Sequence, residues 1–295
     1  IHRYTVSSSM ANSIASKCKA ALVANGLPVS AVKLDETKLK GGYICETMRL
    51  EIEYTKEDPT LPKTLVLKME MPTSNDHQVA MDLHLYDREW HFYETMSSLV
   101  PVRVPKYYAT VLSDDGTQKI GVLMEDLCLP GAVLDPKLDK DGVLLTVKHC
   151  AEMHAKFWNN PDLEKKLGVS PHNGPWFNPS WREKVAGHWP DFRAKWANVL
   201  SEEELAAGDK IINNFQWVQD TISSEPRTFL HGDVKPPNMF MLEGNVPAFI
   251  DWQYVAIGKS CCDILFFLVE GYTIEEVRVL EPEVRRGGYD YLLQF

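Results

Sequence analysis

The sequence predicts an α+β protein of two lobes, a small antiparallel sheet followed by a mostly helical part, and three observations lead there. Up to residue 124, short apolar or alternating runs are separated by Pro-, Gly- and Asp-rich turns. After residue 128 the apolar residues recur at helical spacing instead. At 295 residues, 44% hydrophobic and 24% charged, the chain can fill two cores.

Ser8 or Ser9 can cap a first helix with Met10, Ile14, Cys18 and Leu22 on one face, stopped by Gly26 and Pro28. MRLEIEY (48–54) alternates, and TLVLKM (64–69) is a short apolar strand beyond a turn carrying Pro59 and Pro62. YYATVL (107–112) and KIGVLM (119–124) flank SDDGTQ, a hairpin signal. Between these pairs, Leu85, Phe92, Met96 and Leu99 predict one helix over 79–99. Helices are expected over 142–158 and 201–222, the latter opened by a Ser201/Glu204 capping box. The joint between the lobes is placed at MEDL (124–127), which gives 1–124, a hinge at 125–128, and 129–295.

A net charge of −10 argues against a generic nucleic-acid binder. No run approaches the roughly 18 apolar residues of a membrane span, and the first residues lack a signal peptide's apolar stretch. The six cysteines contain no CxxC pair, and no Asn-x-Ser/Thr sequon with a non-Pro middle residue is present, so a reducing, cytoplasmic setting is expected. The chain begins at Ile1 and stops at Phe295 without a punctuating tail, which leaves trimming at either end open, as it leaves the oligomeric state.

The densest chemistry lies in HGDVKPPNMFMLEGNVPAFID (231–251). Pro236 and Pro237 keep Asp233 and Asn238 out of a helix interior, so a stiff loop can aim both side chains at one point. A hairpin through EGN (243–245) brings Asp251 back beside Asn238. Two oxygen ligands from adjacent strand ends suit Mg2+, which takes few protein ligands when substrate phosphates supply the rest. On the 79–99 helix, Glu89 shares the stripe of Leu85, Phe92 and Met96, and a carboxylate on a buried face demands a cation. Lys68, ending an apolar strand, is the candidate.

HGDVKPPN followed by IDWQ resembles the catalytic and metal loops of the protein-kinase-like superfamily, in its aminoglycoside phosphotransferase and choline kinase branch. The broader pattern is similar to the ecdysteroid-kinase-like subgroup. LPKTLVLK, REWHFYE and VLMEDL fall upstream in the expected order, so the resemblance covers most of the chain. It implies a bilobal protein-kinase-like fold that uses ATP and Mg2+ on a small hydroxylated substrate. Asp233 would be the base, Asn238 and Asp251 the metal ligands, and Lys68 the cation on the α/β-phosphates. Lys235 would offset charge on the γ-phosphoryl group, and the backbone from Glu125 to Leu127 would take the adenine. His231 is expected to brace the loop, with Asp263 binding its amides, and His154 to be a satisfied core histidine.

Departures from the pattern carry information. The loop over the nucleotide offers only Gly41 and Gly42, and Trp252 and Gln253 stand where a glycine follows the metal aspartate. Only eleven residues separate Asp251 from Asp263, too few for a long activation segment. That favours small-molecule substrates over proteins, with a nucleotide-binding scaffold as a further alternative. Residues 171–200 hold four of the eight tryptophans, with four Lys/Arg against two Asp/Glu. Such a stretch suits an uncharged or largely apolar alcohol better than a polycation, while an aromatic cage leaves choline-like cations open.

Overall fold

A computed structural model of the protein describes residues 8–38 and 44–292. Helix α1 (Ser8–Ala24) leads into strands β1 (Val29–Lys38), β2 (Cys45–Tyr54) and β3 (Thr64–Glu70). Helices α2 (His77–Asp82) and α3 (Leu85–His91) follow, then β4 (Tyr107–Leu112) and β5 (Lys119–Glu125). The five strands form one antiparallel sheet in the order β1-β2-β3-β5-β4.

Alternation gives this sheet two working faces. Leu65 and Leu67 of β3 pack with Leu50 and Leu123 against Ile14, Cys18 and Leu22 of α1. Val66 turns to the opposite face with Val122 and Met124, toward α3. Lys68 lies in register with Thr47 and Val122, two residues beyond Val66, so the same alternation delivers its side chain to the α3 face.

The remainder is mostly helical. After the two-residue strand β6 (Val133–Leu134) come α4 (Lys140–Lys156), α5 (Asp162–Lys165), α6 (Ser180–Trp196), α7 (Glu202–Asn213) and α8 (Phe215–Ser223). Strand β7 (Thr228–Leu230) pairs with β10 (Ala256–Gly258), enclosing the β8–β9 hairpin (Met239–Leu242 and Val246–Phe249). Helices α9 (Cys261–Gly271) and α10 (Ile274–Leu292) complete it. One core runs unbroken from the sheet through Phe92 and Met96 to Val147 and Cys150 of α4, Phe229, Trp252 and Phe267.

The expected strands and the 142–158 helix are present, and Ser201 with Glu204 closes the capping box. Three expectations need correction. The 79–99 helix is two α-helices and a π-helical turn over Phe92–Met96, broken where His84 takes φ 54°. The Arg88 guanidinium satisfies the Leu83 carbonyl left at that break. The 201–222 helix divides at Asn214, whose side-chain amide caps the Lys210 carbonyl at 2.7 Å. Helix α1 already includes Ser8 and Ser9, so neither is its cap. Strand β1 went unread because irregular register near Val29 and between Leu34 and Lys38 breaks the period of two.

Candidate active site

The loop after β7 is built on Asp263. Its carboxylate accepts the backbone N–H groups of His231 (3.0 Å) and Gly232 (2.8 Å), and its third partner is His154 Nε2 at 3.0 Å. His154 and Asp263 are both buried, so the expected satisfied histidine has a specific partner. Gly232 adopts φ 82°, where a Cβ would sit 2.1 Å from the Tyr254 carbonyl oxygen. Only glycine fits there.

His231 links two loops rather than facing a substrate. Its Nδ1 lies 3.1 Å from the Asp233 backbone N–H and must accept it, so Nε2 carries the proton and donates to the Ile250 carbonyl at 2.9 Å. Burial pulls the imidazole below its ordinary range despite Asp263 and Asp233, which keeps it neutral. Asp233 and Ile250, the residue before Asp251, are thereby held by one ring.

Asp233 and Asn238 meet as the proline-stiffened loop implies, and Lys235 joins them. Asn238 Nδ2 donates to Asp233 Oδ2 at 2.6 Å and to its backbone oxygen at 3.0 Å, while Lys235 Nζ lies 2.9 Å from Oδ1. Burial raises the Asp233 carboxyl above the ordinary aspartate range, with Lys235 opposing. The two prolines set a single 3-10 turn, Pro236–Asn238, that points Asn238 back at the aspartate.

A second cluster forms around Lys68. Lys68 Nζ sits 2.8 Å from Glu89 and 2.6 Å from Asp251 Oδ1. Burial alone would pull this ammonium down, but Asp251 and then Glu89 outweigh it and hold it well above the usual lysine range. Burial pushes Glu89 up to about 6 against the attraction of Lys68. Asp251 takes φ 65° without a glycine beside it. Trp252 supplies the anchor instead, stacking on Phe92 with centroids 3.9 Å apart and rings 4° from parallel. The hairpin closes as expected: Ile250 N–H donates to the Asn238 carbonyl at 3.0 Å, placing Asn238 and Asp251 on adjacent strand ends.

Gly41 and Gly42 lie outside the described residues. Glu125 and Leu127 stand apart from both clusters. Arg103 (2.6 Å) and the Lys106 N–H (3.0 Å) hold the Glu125 carboxylate, and Leu127 is buried with its carbonyl accepting from Leu129 N–H at 2.7 Å. Sequence reasoning missed Asp126 between them, which pairs with Arg49 of β2 at 2.8 Å and caps the Cys128 N–H at 3.0 Å. A carboxylate directly after the apolar strand β5 was the available signal.

The tryptophan-rich stretch divides. Trp181 lies edge-on to Tyr254, three residues beyond Asp251, whereas Trp189, Phe192 and Trp196 stack along α6. Trp189 also donates to Asp209 of α7 at 2.8 Å.

The donor set fits Mg2+. Both Asn238 contacts are acceptors and use its amide nitrogen, which leaves the amide oxygen for a cation near Asp251. Among the described residues there is no group of three or more His, Cys, Asp or Glu that could hold a metal ion.

Solved structures with this architecture include the streptomycin–ATP ternary complex of APH(2")-IIa, at 13% identity, with 98% of this chain and 83% of that chain covered and a TM-score of 0.53. The GDP and kanamycin complex of APH(2")-IIia is 16% identical, covers 90% and 78%, and has a TM-score of 0.53. Macrolide 2'-phosphotransferase MphH from Brachybacterium faecium is 12% identical, covers 92% and 80%, and has a TM-score of 0.50. At such identities the likeness concerns the fold. No curated protein matches. Residues 60–292 match the APH phosphotransferase enzyme family, most of the chain, and the protein belongs to that family.

Proposed function

We propose that this phosphotransferase moves the γ-phosphoryl group of ATP, with Mg2+, to a hydroxyl of an uncharged or largely apolar small metabolite. The observation that carries the reading is the pair of clusters, Asp233–Lys235–Asn238 and Lys68–Glu89–Asp251, brought together where Ile250 pairs with Asn238. Residues 1–124 and 129–295 serve as its two lobes about a hinge at 125–128. Within the wider superfamily the HGDVKPPN form and the aromatic segment favour the ecdysteroid-kinase-like subgroup, in a reducing cytoplasm.

Asp233 accepts the hydroxyl proton as the oxygen attacks phosphorus. Its raised affinity for a proton makes it a stronger base than an exposed aspartate. One of its oxygens is oriented by Asn238, and Lys235 covers the other at 2.9 Å. Transfer of Lys235 to the γ-phosphoryl oxygens frees that oxygen for the acceptor and offsets developing charge. On the opposite side Lys68, positioned by Glu89, leaves Asp251 for the α/β-phosphates. Mg2+, held by Asn238 and Asp251, would neutralise charge on the β- and γ-oxygens. The Leu127 N–H and Glu125 carbonyl are the hinge groups for adenine.

For the acceptor, Trp176, Trp181 and Tyr254 offer rings beside the catalytic loop, and residues 171–200 hold only two acidic side chains. Neighbouring structures carry aminoglycosides, so that class is the alternative. A panel of apolar alcohols, choline and kanamycin-type compounds, assayed for ADP release, separates them. Phosphorylation confined to kanamycin-type compounds would overturn the acceptor assignment.

A further inference from the structure

Arg88 is fully buried, precedes Glu89 in α3, and has no role in the chemistry above. Among the described residues no carboxylate pairs with it. Its Nε and Nη2 donate to the Leu83 carbonyl, and Nη2 also donates to the Trp176 carbonyl at 3.1 Å. Nη1 is buried without a hydrogen-bond partner. The guanidinium lies 4.1 Å from the Phe177 ring centroid, with Tyr254 at 5.8 Å and Trp176 at 6.0 Å. Burial draws it down to about 9, which leaves it charged at neutral pH.

An apolar side chain of similar volume would leave the Leu83 and Trp176 carbonyls without the donors that Arg88 supplies. What the guanidinium adds is direction. Two donors fix it between a carbonyl of the α2–α3 break and a carbonyl of the segment before α6. Consecutive helical residues point about 100° apart, so Glu89 faces Lys68 while Arg88 faces residues 176–177. Both side chains leave one short helix, and a rotation taking Glu89 off Lys68 also pulls Arg88 from its aromatic seat. Two further ties reach the same segment: His91 Nε2 donates to the Leu167 carbonyl at 2.6 Å, and Asp82 pairs with Lys184 at 2.8 Å.

We infer that Arg88 is a positioning residue that locks α3 onto the 167–184 segment and thereby holds Glu89 against Lys68. The inference rests on the reading of Lys68 as the nucleotide's cation. It makes the segment that carries the acceptor-side aromatic rings part of the nucleotide site's support.

The test is a double-mutant cycle on MgATP affinity, measured by calorimetry on the intact chain. Arg88→Met is expected to weaken MgATP binding about tenfold, and by less than about twofold when Glu89→Gln is already present. Equal losses in both backgrounds indicate a generally loosened fold and overturn the inference, as does no loss in either. If Arg88→Met does not fold, Arg88→Lys is read the same way, since it keeps the charge but cannot span both carbonyls. A wild-type protein that does not bind MgATP defeats the proposed function and this inference together. Loss of binding in Lys68→Met with normal binding in both Arg88 variants defeats this inference alone.

Discussion

Asn238 and Asp233 are joined by a 2.6 Å hydrogen bond in which the amide of Asn238 must be the donor, because its second contact at 3.0 Å is the Asp233 backbone carbonyl. The orientation of the asparagine is therefore set by chemistry. One residue orients Asp233 with its nitrogen, and in the proposed reaction its oxygen is left for the cation.

Asn238→Asp tests that double duty. It places a second carboxylate against Asp233, and two like charges at such distance cannot both ionise readily. Turnover should fall at least about a hundredfold at neutral pH, a larger effect than a metal ligand swap alone would produce. A variant with wild-type turnover and Mg2+ requirement would separate Asn238 from both roles.

Asp251→Ala should weaken MgATP binding by at least about tenfold. The loss should depend on Mg2+, because the carboxylate is read as a ligand and not merely as the partner of Lys68. Titrations with and without Mg2+ distinguish the two. Unchanged MgATP affinity removes Asp251 from the metal site.

Lys235 is partly exposed, yet it is ion-paired with Asp233. Lys235→Ala should slow the chemical step in single-turnover measurements while leaving MgATP and acceptor affinity within about twofold. An unchanged single-turnover rate would assign the lysine to the surface.

The pH dependence of stability should carry a histidine signature. Burial, aided by the charge of Arg88, holds His172 at about 4, below its unfolded 6.5. As pH falls below 6.5 the unfolded chain takes up a proton that the folded chain refuses, so stability drops until the pH nears 4. Glu89, raised to about 6, acts with the opposite sign between 6 and 4.5. Denaturant midpoints at pH 7 and 5 should therefore show a smaller loss in His172→Asn than in wild type, by about 1 to 2 kcal/mol. Parallel losses in both would contradict the assignment.

The sheet was legible because Met48, Leu50 and Ile52 in one strand, and Leu65 and Leu67 in the next, repeat every second residue with nothing to disturb them. The two prolines and the hairpin glycine likewise announced that Asn238 would meet Asp233 and that Asp251 would return to the adjacent strand end. Less legible was anything fixed by a long-range partner. His84 breaks a helix whose apolar stripe runs straight through, because Arg88 satisfies the break from the next turn. Trp252 read as a departure from the usual glycine, and only its stack on Phe92 shows what anchors the segment. Within 171–200, Trp189 is drawn to Asp209 of α7, a contact local spacing cannot encode.

Asp233 is the proposed base in ATP-dependent phosphorylation of a small hydroxylated compound. The most direct test incubates wild type and Asp233→Asn with MgATP and a panel of hydroxylated metabolites, following products by mass spectrometry. Wild type should yield ADP and a phosphomonoester of an apolar alcohol, and the variant should do so about two to four orders of magnitude more slowly with MgATP affinity little changed. Near-wild-type product formation by Asp233→Asn, or MgATP binding with no phosphorylated product from any acceptor, would contradict the account.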